Sequence, residues 1–185
     1  MRAIHRLIEG QVATNGEAIA IDGQGYCISY RELNTSANAL ARRMMAVGFK
    51  RGMHLHVRMQ PSVELAVVLL ATLKAGGSYT WTITSDGSPI WIGEHALHLD
   101  DVRATGAGGG SNLPVITRET DIACLLERGA GESPIAVPHG TVIAMRSHVA
   151  GERLPWAGEP GALDLWITLM AGATAVVSER PAVAA

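Results

Sequence analysis

The hydrophobic pattern of residues 18–84 switches repeatedly between the period of a β-strand and the period of an α-helix. Strand-like stretches alternate apolar and polar residues, whereas helical stretches repeat apolar residues every three or four positions. In chain order they are "AIAID", "YCIS", the helical "SYRELNTSANALARRMMAVGF", "MHLHVRM", the helical "VELAVVLLATLKAGG" and "SYTWTIT". Helices that alternate with strands predict an α/β fold, with a mainly parallel sheet, helices on both faces and an N-terminal β-hairpin.

Residues typical of helix ends mark the boundaries of these elements. A short amphipathic helix is predicted over residues 2–14. Ser29 precedes the next helix with Glu32 three residues on, which is the pattern of a capping box, and Gly48 ends that helix. The helix over residues 63–77 is apolar on almost all sides, so we expect it to be buried.

The second half of the chain is less regular. We expect short strands over 88–94 and 95–102, strands over 121–126, 134–137 and 173–178, helices over 139–149 and 162–172, and a loop over 151–161. A glycine-rich stretch over about residues 104–114 predicts a flexible loop. The whole chain, residues 1–185, is interpreted as a single domain.

The composition excludes several functions. Hydrophobic residues make up 48% of the 185 residues and aromatic residues only 4%, so the core is built from aliphatic side chains. A net charge of −2 gives no basic surface for a nucleic acid, and the longest apolar run, "LAVVLLATL", is too short to cross a membrane. Cys27 and Cys124 lie in apolar, strand-like surroundings and are interpreted as buried free thiols of a cytoplasmic protein.

Residues 121–140, "DIACLLERGAGESPIAVPHG", place a glycine-containing loop between two strand-like runs. A strand followed by a glycine loop is a common way to hold a phosphate, because backbone N–H groups then point at the anion. The loop from Glu127 to Pro134 contains no lysine and a single hydroxyl residue, Ser133. A working phosphate loop, an unrelated hairpin and the remains of a phosphate loop are the three interpretations of this pattern.

Residues 28–80 resemble the beginning of an adenylation domain of nonribosomal peptide synthetases. The matching stretches are "SYREL" at 29–33, the glycine turn and strand from Gly48 to Val57, and "LKAGGSY" at 73–79. Their order and spacing follow the family pattern of a "TYREL" helix start, a "GV-xGD-V" turn and an "LKAGAAYVP" stretch. The resemblance implies the fold of the first part of the large subdomain of adenylate-forming enzymes.

The resemblance resumes around the loop at 127–134. In the family this loop holds the ATP phosphates with hydroxyl groups, backbone N–H groups and a lysine after a proline. Here Asp121-Ile122-Ala123 and Val137-Pro138-His139 match the flanking segments, whereas the loop is shorter and Ile135 follows Pro134. Glutamates beside a phosphate repel it. The resemblance therefore implies a degenerate phosphate loop, with these residues in it: Glu127, Arg128, Gly129, Gly131, Ser133 and Pro134.

The segment 156–178 resembles the next family stretch, in which an aspartate holds the α-ammonium group of the substrate. Counting back from Gly172 places Glu159 at that position, so Glu159 is a candidate for a vestigial amine-binding residue, with a solvated loop acid as the alternative. Trp156, beside Pro155 in the predicted loop, is a candidate interface residue if exposed and a partly buried residue otherwise.

Two further groupings of side chains give weaker hypotheses. Four histidines form two pairs in the sequence, His54 with His56 and His95 with His98. Nothing places the two pairs together, so no metal site is predicted. Ser133, His139 and Asp164 contain the residue types of a hydrolytic triad, yet no "GxSxG" turn is present.

The preferred hypothesis is a truncated, non-catalytic adenylation-like domain without cofactor. It acts as a spacer or docking surface for condensation, ketosynthase or carrier domains of a nonribosomal peptide or hybrid polyketide assembly line. The alternative is a fragment of an active enzyme, completed by another segment or chain, that activates an amino acid or aryl acid with ATP and magnesium. A small-ligand binding module is a third possibility. No activity is expected from the chain by itself.

Overall fold

The computed structural model describes residues 2–23, 25–84, 90–92, 95–97, 110–128, 131–148, 152–156 and 162–178. The first half contains α1 (Ile4–Asn15), β1 (Ile19–Gly23), β2 (Tyr26–Ser29), α2 (Tyr30–Ala46), β3 (His54–Arg58), α3 (Val63–Lys74) and β4 (Ser78–Thr82). The second half contains β5 (Ile90–Ile92), β6 (His95–Leu97), β7 (Ile122–Leu126), β8 (Ile135–Pro138), α4 (His139–Ala144) with a 3₁₀ turn (Met145–His148), β9 (Arg153–Trp156), α5 (Leu163–Ala171) and β10 (Thr174–Val177).

Within the described residues, the longer strands form two four-stranded sheets. The first has the order β2-β1-β10-β9 and the second β3-β4-β7-β8, and β5 pairs only with β6 in an antiparallel hairpin. The pairs β1–β10, β10–β9, β3–β4 and β4–β7 are parallel, whereas β1–β2 and β7–β8 are antiparallel. The predicted α/β class and N-terminal hairpin are confirmed, with the strands distributed over two sheets.

Helix α3 packs against both sheets. Eleven of its twelve residues are buried, as its apolar sequence predicts. A helix that is apolar on all sides needs cover on all sides. It packs against β1 and β2 of the first sheet, β4 of the second, and the helices α1 and α2. The two sheets therefore share this helix as part of one core.

Helix α2 begins at the predicted capping box. The Glu32 backbone N–H donates to Ser29 Oγ at 3.2 Å, and the Ser29 backbone N–H donates to Glu32 Oε2 at 2.9 Å. The Ser29 backbone N–H and hydroxyl group both donate to the Glu32 carboxylate and lower its pKa, because they stabilise the charged form. The cap fixes the direction in which the chain leaves the hairpin, so α2 lies against α3 and α1.

The structure decides between the two alternatives for Trp156, which is buried, and it corrects the predicted loop over 151–161, which contains a strand. Residues 153–156 form strand β9, which pairs with β10, and Trp156 is 1% exposed. Its ring packs against Trp81 of β4, with 6.1 Å between ring centroids. Strand pairing carries this side chain into the core, so Trp156 offers no exposed anchor for a partner.

The described residues test the expectation that both cysteines are buried. Cys124 is buried as expected, but Cys27 is exposed, because it lies on the edge strand β2, and its thiol donates to Asp22 Oδ1 at 3.1 Å. Most of the glycine-rich loop predicted over 104–114 lies outside the described residues. Among the helices that are described, none is long and apolar enough to cross a membrane.

Candidate phosphate loop and the sheet edge around it

The loop at 127–134 leaves the sheet at the edge where ligands usually bind in α/β proteins. Strand β7 runs parallel to β4, and β4 runs parallel to β3, so their carboxyl ends meet at one edge. The chain turns back through the loop into β8, where Leu126 pairs with Ile135. Crevices outside the carboxyl ends of parallel strands are the common ligand sites of this fold class. The loop at 127–134 therefore lies at an edge of the kind where ligands commonly bind.

The arginine of the loop is engaged inside the loop itself. Arg128 Nε lies 2.8 Å from Glu132 Oε2, and about half of each side chain is exposed. By sequence, Arg128 is the one cation between Glu127 and Pro134. Its charge is directed at a neighbouring carboxylate, so the loop presents little positive potential to an incoming phosphate.

The other glutamate faces the neighbouring strands. Thr82 Oγ1 donates to Glu127 Oε2 at 3.4 Å, and His56 Nε2 lies 3.9 Å from Glu127 Oε1. His56 Nε2 also lies 3.2 Å from Thr82 Oγ1. A carboxylate thus lies beside Thr82 at the end of β4 and beside His56 in the middle of β3.

The remaining loop positions supply few groups that could bind an anion. Gly131 has a positive φ of 88° and forms the turn, while Gly129 lies outside the described residues. Ser133 and Pro134 are exposed on the way into β8. Pro134 has no backbone N–H, so one potential donor is missing at the position before the strand.

The candidate amine-binding residue, Glu159, lies outside the described residues. Farther along, Asp164 is half-buried in the first turn of α5, and its Oδ1 accepts the Leu165 backbone N–H at 2.9 Å. Burial raises the pKa of the Asp164 carboxyl group. The residue before the helix, Ala162, has a left-handed backbone with φ 58°, which is strained for a residue other than glycine.

The structure gives no support to a hydrolytic triad. His139 is completely buried, and its Nδ1 accepts the Ile4 backbone N–H at 3.3 Å. Ser133 lies exposed in the loop. An imidazole whose Nδ1 serves a backbone amide in the core is not placed to activate an exposed hydroxyl group.

The histidine pairs do not form a metal site in the part of the chain that the structure describes. No group of three or more His, Cys, Asp or Glu side chains is placed there to hold a metal ion. His54 instead contacts Ser78 Oγ at 3.0 Å and Thr80 Oγ1 at 2.7 Å, in a polar row on one face of β3 and β4.

An open cleft of about 470 Å³ lies at the opposite edge of the second sheet. It is lined by Arg51, Gly52, Gly76, Gly77, Ser78, Thr120, Asp121 and Ile122. These residues precede or begin the strands, so the cleft is at their amino ends, away from the loop at 127–134. Arg51 Nη2 and Asp121 Oδ2 form an ion pair across it at 2.8 Å, and hydrogen bonds and the nearby arginine lower the pKa of the Asp121 carboxyl group despite its partial burial.

Sequence reasoning missed a buried cluster of ionisable groups on α1, α3 and α4. Glu9, Lys74 and His139 belong to it, and Lys74 Nζ contacts Glu9 Oε1. The one available signal is Lys74 at the end of an otherwise apolar helix. Residues so far apart in sequence give no spacing that predicts their contact.

Comparison with known proteins agrees with the fold. The AMP-binding enzyme family matches residues 8–87. Over 146 residues, 67% of the chain, the sequence is 38% identical to tyrocidine synthase 3 of Brevibacillus parabrevis, of which it covers 2%. The chain is an adenylation-domain sequence of the nonribosomal peptide synthetase type. It corresponds to the N-terminal part of such a domain.

Solved adenylation-domain structures have the same fold. The chain aligns over 95% of its length with the nonribosomal peptide synthetase FmoA3, with a TM-score of 0.79 and 19% identity. It aligns over 98% with the NpsA N-terminal subdomain of Klebsiella oxytoca, with a TM-score of 0.77 and 18% identity. The chain covers 22% of the first structure and 55% of the second, so it spans only part of each relative.

Proposed function

We propose that this chain is a non-catalytic adenylation-like domain of a nonribosomal peptide or hybrid polyketide assembly line. It acts as a structural spacer or docking surface for a neighbouring condensation, ketosynthase or carrier domain. The observation that carries the proposal is the ion pair between Arg128 and Glu132 inside the loop that would otherwise hold phosphate. An adenylation scaffold is present, but the positive charge at its phosphate edge is neutralised.

The charges of the loop oppose triphosphate binding. The loop carries two glutamates and one arginine, and Glu127 lies beside His56 and Thr82. A carboxylate within several ångströms of a phosphate oxygen costs about 1–4 kcal/mol at the effective dielectric of a protein surface. Phosphoryl chemistry needs the opposite, which is focused positive potential from lysine, arginine or backbone donors.

Calorimetric titration with Mg·ATP tests this proposal. The wild-type chain is expected to show no saturable heat at micromolar nucleotide concentration. The double variant Glu127→Gln/Glu132→Gln leaves Arg128 unpaired and is expected to bind ATP weakly, with an affinity that falls as salt rises. Glu17→Gln/Glu119→Gln removes the same charge from exposed positions elsewhere and serves as the matched control.

Saturable, magnesium-dependent ATP binding by the wild-type chain in the micromolar range contradicts a non-catalytic role. It supports the second candidate, in which the chain is part of an active enzyme that forms an acyl adenylate from an amino acid or aryl acid. This candidate is favoured by the small share of its relative that the chain covers, which is 2% of tyrocidine synthase 3.

Pyrophosphate exchange separates the two candidates in the complete polypeptide. Under the proposed function, exchange is absent, or it persists unchanged when Arg128 is replaced by alanine because another domain performs it. Under the second candidate, exchange is present and falls at least tenfold in Arg128→Ala, because the loop then contributes a phosphate contact. Arg31→Ala, which removes an exposed arginine paired with Glu17, controls for the loss of a surface charge.

A further inference from the structure

Four ionisable side chains are buried together where α1 lies against α3 and α4. His5 and Glu9 come from α1, Lys74 ends α3, and His139 begins α4. They are 3%, 7%, 2% and 0% exposed, respectively. Charged and titratable groups are rarely so deeply buried unless they are paired, so the partners of each group decide its charge.

The one buried carboxylate of the cluster is already fully paired. Lys74 Nζ contacts Glu9 Oε1, and Arg6 Nη1 contacts Glu9 Oε2 at 2.8 Å. Both carboxylate oxygens therefore face a cation. No negative oxygen of Glu9 remains to compensate a further positive charge on a histidine.

The neutral imidazole of His139 accepts a hydrogen bond from the start of α1. The Ile4 backbone N–H donates to His139 Nδ1 at 3.3 Å, so the ring proton is on Nε2. His139 Nε2 is buried with no hydrogen-bond partner among the described residues. A second proton on the ring would occupy Nδ1, remove the acceptor and set two N–H groups against each other.

His5 is next to this ring and is equally intolerant of charge. The two imidazoles meet edge to face with 6.2 Å between their centroids, and His5 Nδ1 is also buried without a partner among the described residues. Two imidazolium groups at this distance would repel each other inside the core. Both rings therefore remain neutral while α1 is in place.

The charges that face the two histidines come from each neighbouring element. Lys74 of α3 and Arg6 of α1 face His5, and Arg42 of α2 adds positive potential at Lys74. Asp121, before β7, faces His139, but its carboxylate is held by Arg51 and by the Arg118 N–H. From α5, the contact to α1 is uncharged, with the Gln11 amide donating to the Met170 carbonyl at 3.1 Å.

This environment makes both histidines poor bases. Burial, with Lys74, His139 and Arg6 adding to it, lowers the pKa of His5 to about 3. Burial lowers the pKa of His139 to about 4, although Asp121 acts in the opposite direction. An exposed histidine titrates near 6.5. In a form with α1 detached, both rings would reach water, and their pKa values would return toward that of an exposed histidine.

We propose that acid releases α1: uptake of protons by His5 and His139 detaches α1 from the helices it packs against, α2 to α5, while the two sheets remain folded. Helix α1 contributes no strand to either sheet, so its departure leaves the ladders of β-sheet hydrogen bonds intact. It exposes Ile4 and Ile8, which are otherwise completely buried. Acid thus converts a covered apolar surface into an accessible one.

The sign of the pH dependence follows from the two pKa shifts. Between pH 6.5 and about 4, the detached form binds more protons than the docked form, so detachment becomes more favourable as the pH falls. Each histidine raises the opening constant of α1 by up to tenfold per pH unit in this window, and the two together by up to a hundredfold.

Hydrogen exchange of the whole chain, followed by mass spectrometry from pH 7.5 to 4.5 and corrected for intrinsic rates, tests the proposal. Peptides from α1 are expected to lose protection by 10- to 100-fold per pH unit below 6.5, while peptides from β4 and β7 keep theirs. His139→Gln, whose amide oxygen can accept the Ile4 N–H, is expected to reduce the slope by about tenfold per unit. His56→Gln, at an exposed histidine, leaves the slope unchanged.

Two results would overturn the proposal. The first is α1 protection in the wild-type chain that is constant between pH 7.5 and 4.5, a measurement that needs no variant to fold. The second is loss of protection in α1, β4 and β7 at the same pH, which shows general acid unfolding. Should His139→Gln fail to fold, His5→Gln provides the same test of the slope from the other ring.

Discussion

Replacing Lys74 by methionine is expected to destabilise the protein by about 3 kcal/mol. The change removes the cation at Glu9 Oε1 and leaves that carboxylate in the core. Removing one partner of a buried ion pair typically costs about 3–5 kcal/mol, because the other charge stays buried without compensation. Arg6 still contacts Glu9 Oε2 at 2.8 Å, so the lower end of that range is expected.

The double variant Glu9→Gln/Lys74→Met isolates the cause of this loss. It removes both charges, and glutamine can still accept a hydrogen bond from Arg6. Buried ion pairs replaced by neutral side chains of similar volume are often as stable as the original pair. Burial lowers the pKa of the Lys74 amine, which shows that its charge is held at a cost. The double variant is therefore expected to lie within about 1 kcal/mol of wild type.

Urea unfolding followed by tryptophan fluorescence measures these differences, since Trp81, Trp156 and Trp166 are all buried. With a slope of roughly 2 kcal/mol per molar urea for a chain of this size, a loss of about 3 kcal/mol lowers the midpoint by roughly 1.5 M. The chain offers a matched control, because its other lysine, Lys50, is exposed. Equal midpoints for Lys74→Met and Lys50→Met, or a double variant less stable than Lys74→Met, would refute the reasoning.

Three further substitutions test the packing around the site. Ser29→Ala removes the cap of α2 and is expected to cost about 1 kcal/mol in urea unfolding. Gly77→Ala places a Cβ 2.4 Å from the Phe49 ring and is expected to cost about 1–3 kcal/mol, part of which Phe49→Leu restores. Trp166→Phe removes the 2.6 Å hydrogen bond to the buried Tyr79 hydroxyl group and is expected to cost about 1–3 kcal/mol by the same measurement.

Each of these has an outcome that contradicts it. Ser29→Thr keeps a capping oxygen and should remain within about 0.5 kcal/mol of wild type, so an equal loss for both variants would exclude capping as the cause. A Gly77→Ala variant as stable as wild type would show that Phe49 yields without strain. A Trp166→Phe variant that loses nothing would show that the hydrogen bond between Tyr79 and Cys124 is enough to satisfy the Tyr79 hydroxyl group.

Local elements of the fold were predictable from the sequence, because their signals lie within a few residues. The capping box at Ser29 and Glu32 and the burial of α3 are confirmed. The division into two sheets was not predictable, since β1 pairs with β10 about 150 positions away and hydrophobic patterns do not choose pairing partners. The predicted loop over 151–161 is wrong at β9, which is an edge strand, where a proline such as Pro155 is tolerated.

The sequence predicted which residues form the loop of the candidate site, but not the contacts that their side chains make. The predicted strands at 121–126 and 134–137 bracket the loop closely, and the structure adds that it lies at the carboxyl edge of the second sheet. That Arg128 turns toward Glu132 depends on the turn at Gly131, which sequence spacing alone does not determine. The buried cluster of His5, Glu9, Lys74 and His139 was unpredictable for a different reason, since three separate helices must first pack before these side chains meet.

The loop and the buried cluster tolerate substitution to different degrees, and under the proposed function this difference allows the scaffold to persist without phosphate binding. Residues 131–136 are exposed, and the loop's charged side chains are about half exposed. Surface substitutions of this kind usually change stability by less than about 0.5 kcal/mol. Nothing in the core therefore opposes the loss of a lysine or the gain of a glutamate there. Removing either Lys74 or Glu9 alone costs far more stability, because the other charge stays buried without its partner. This cost does not depend on whether the edge binds a nucleotide.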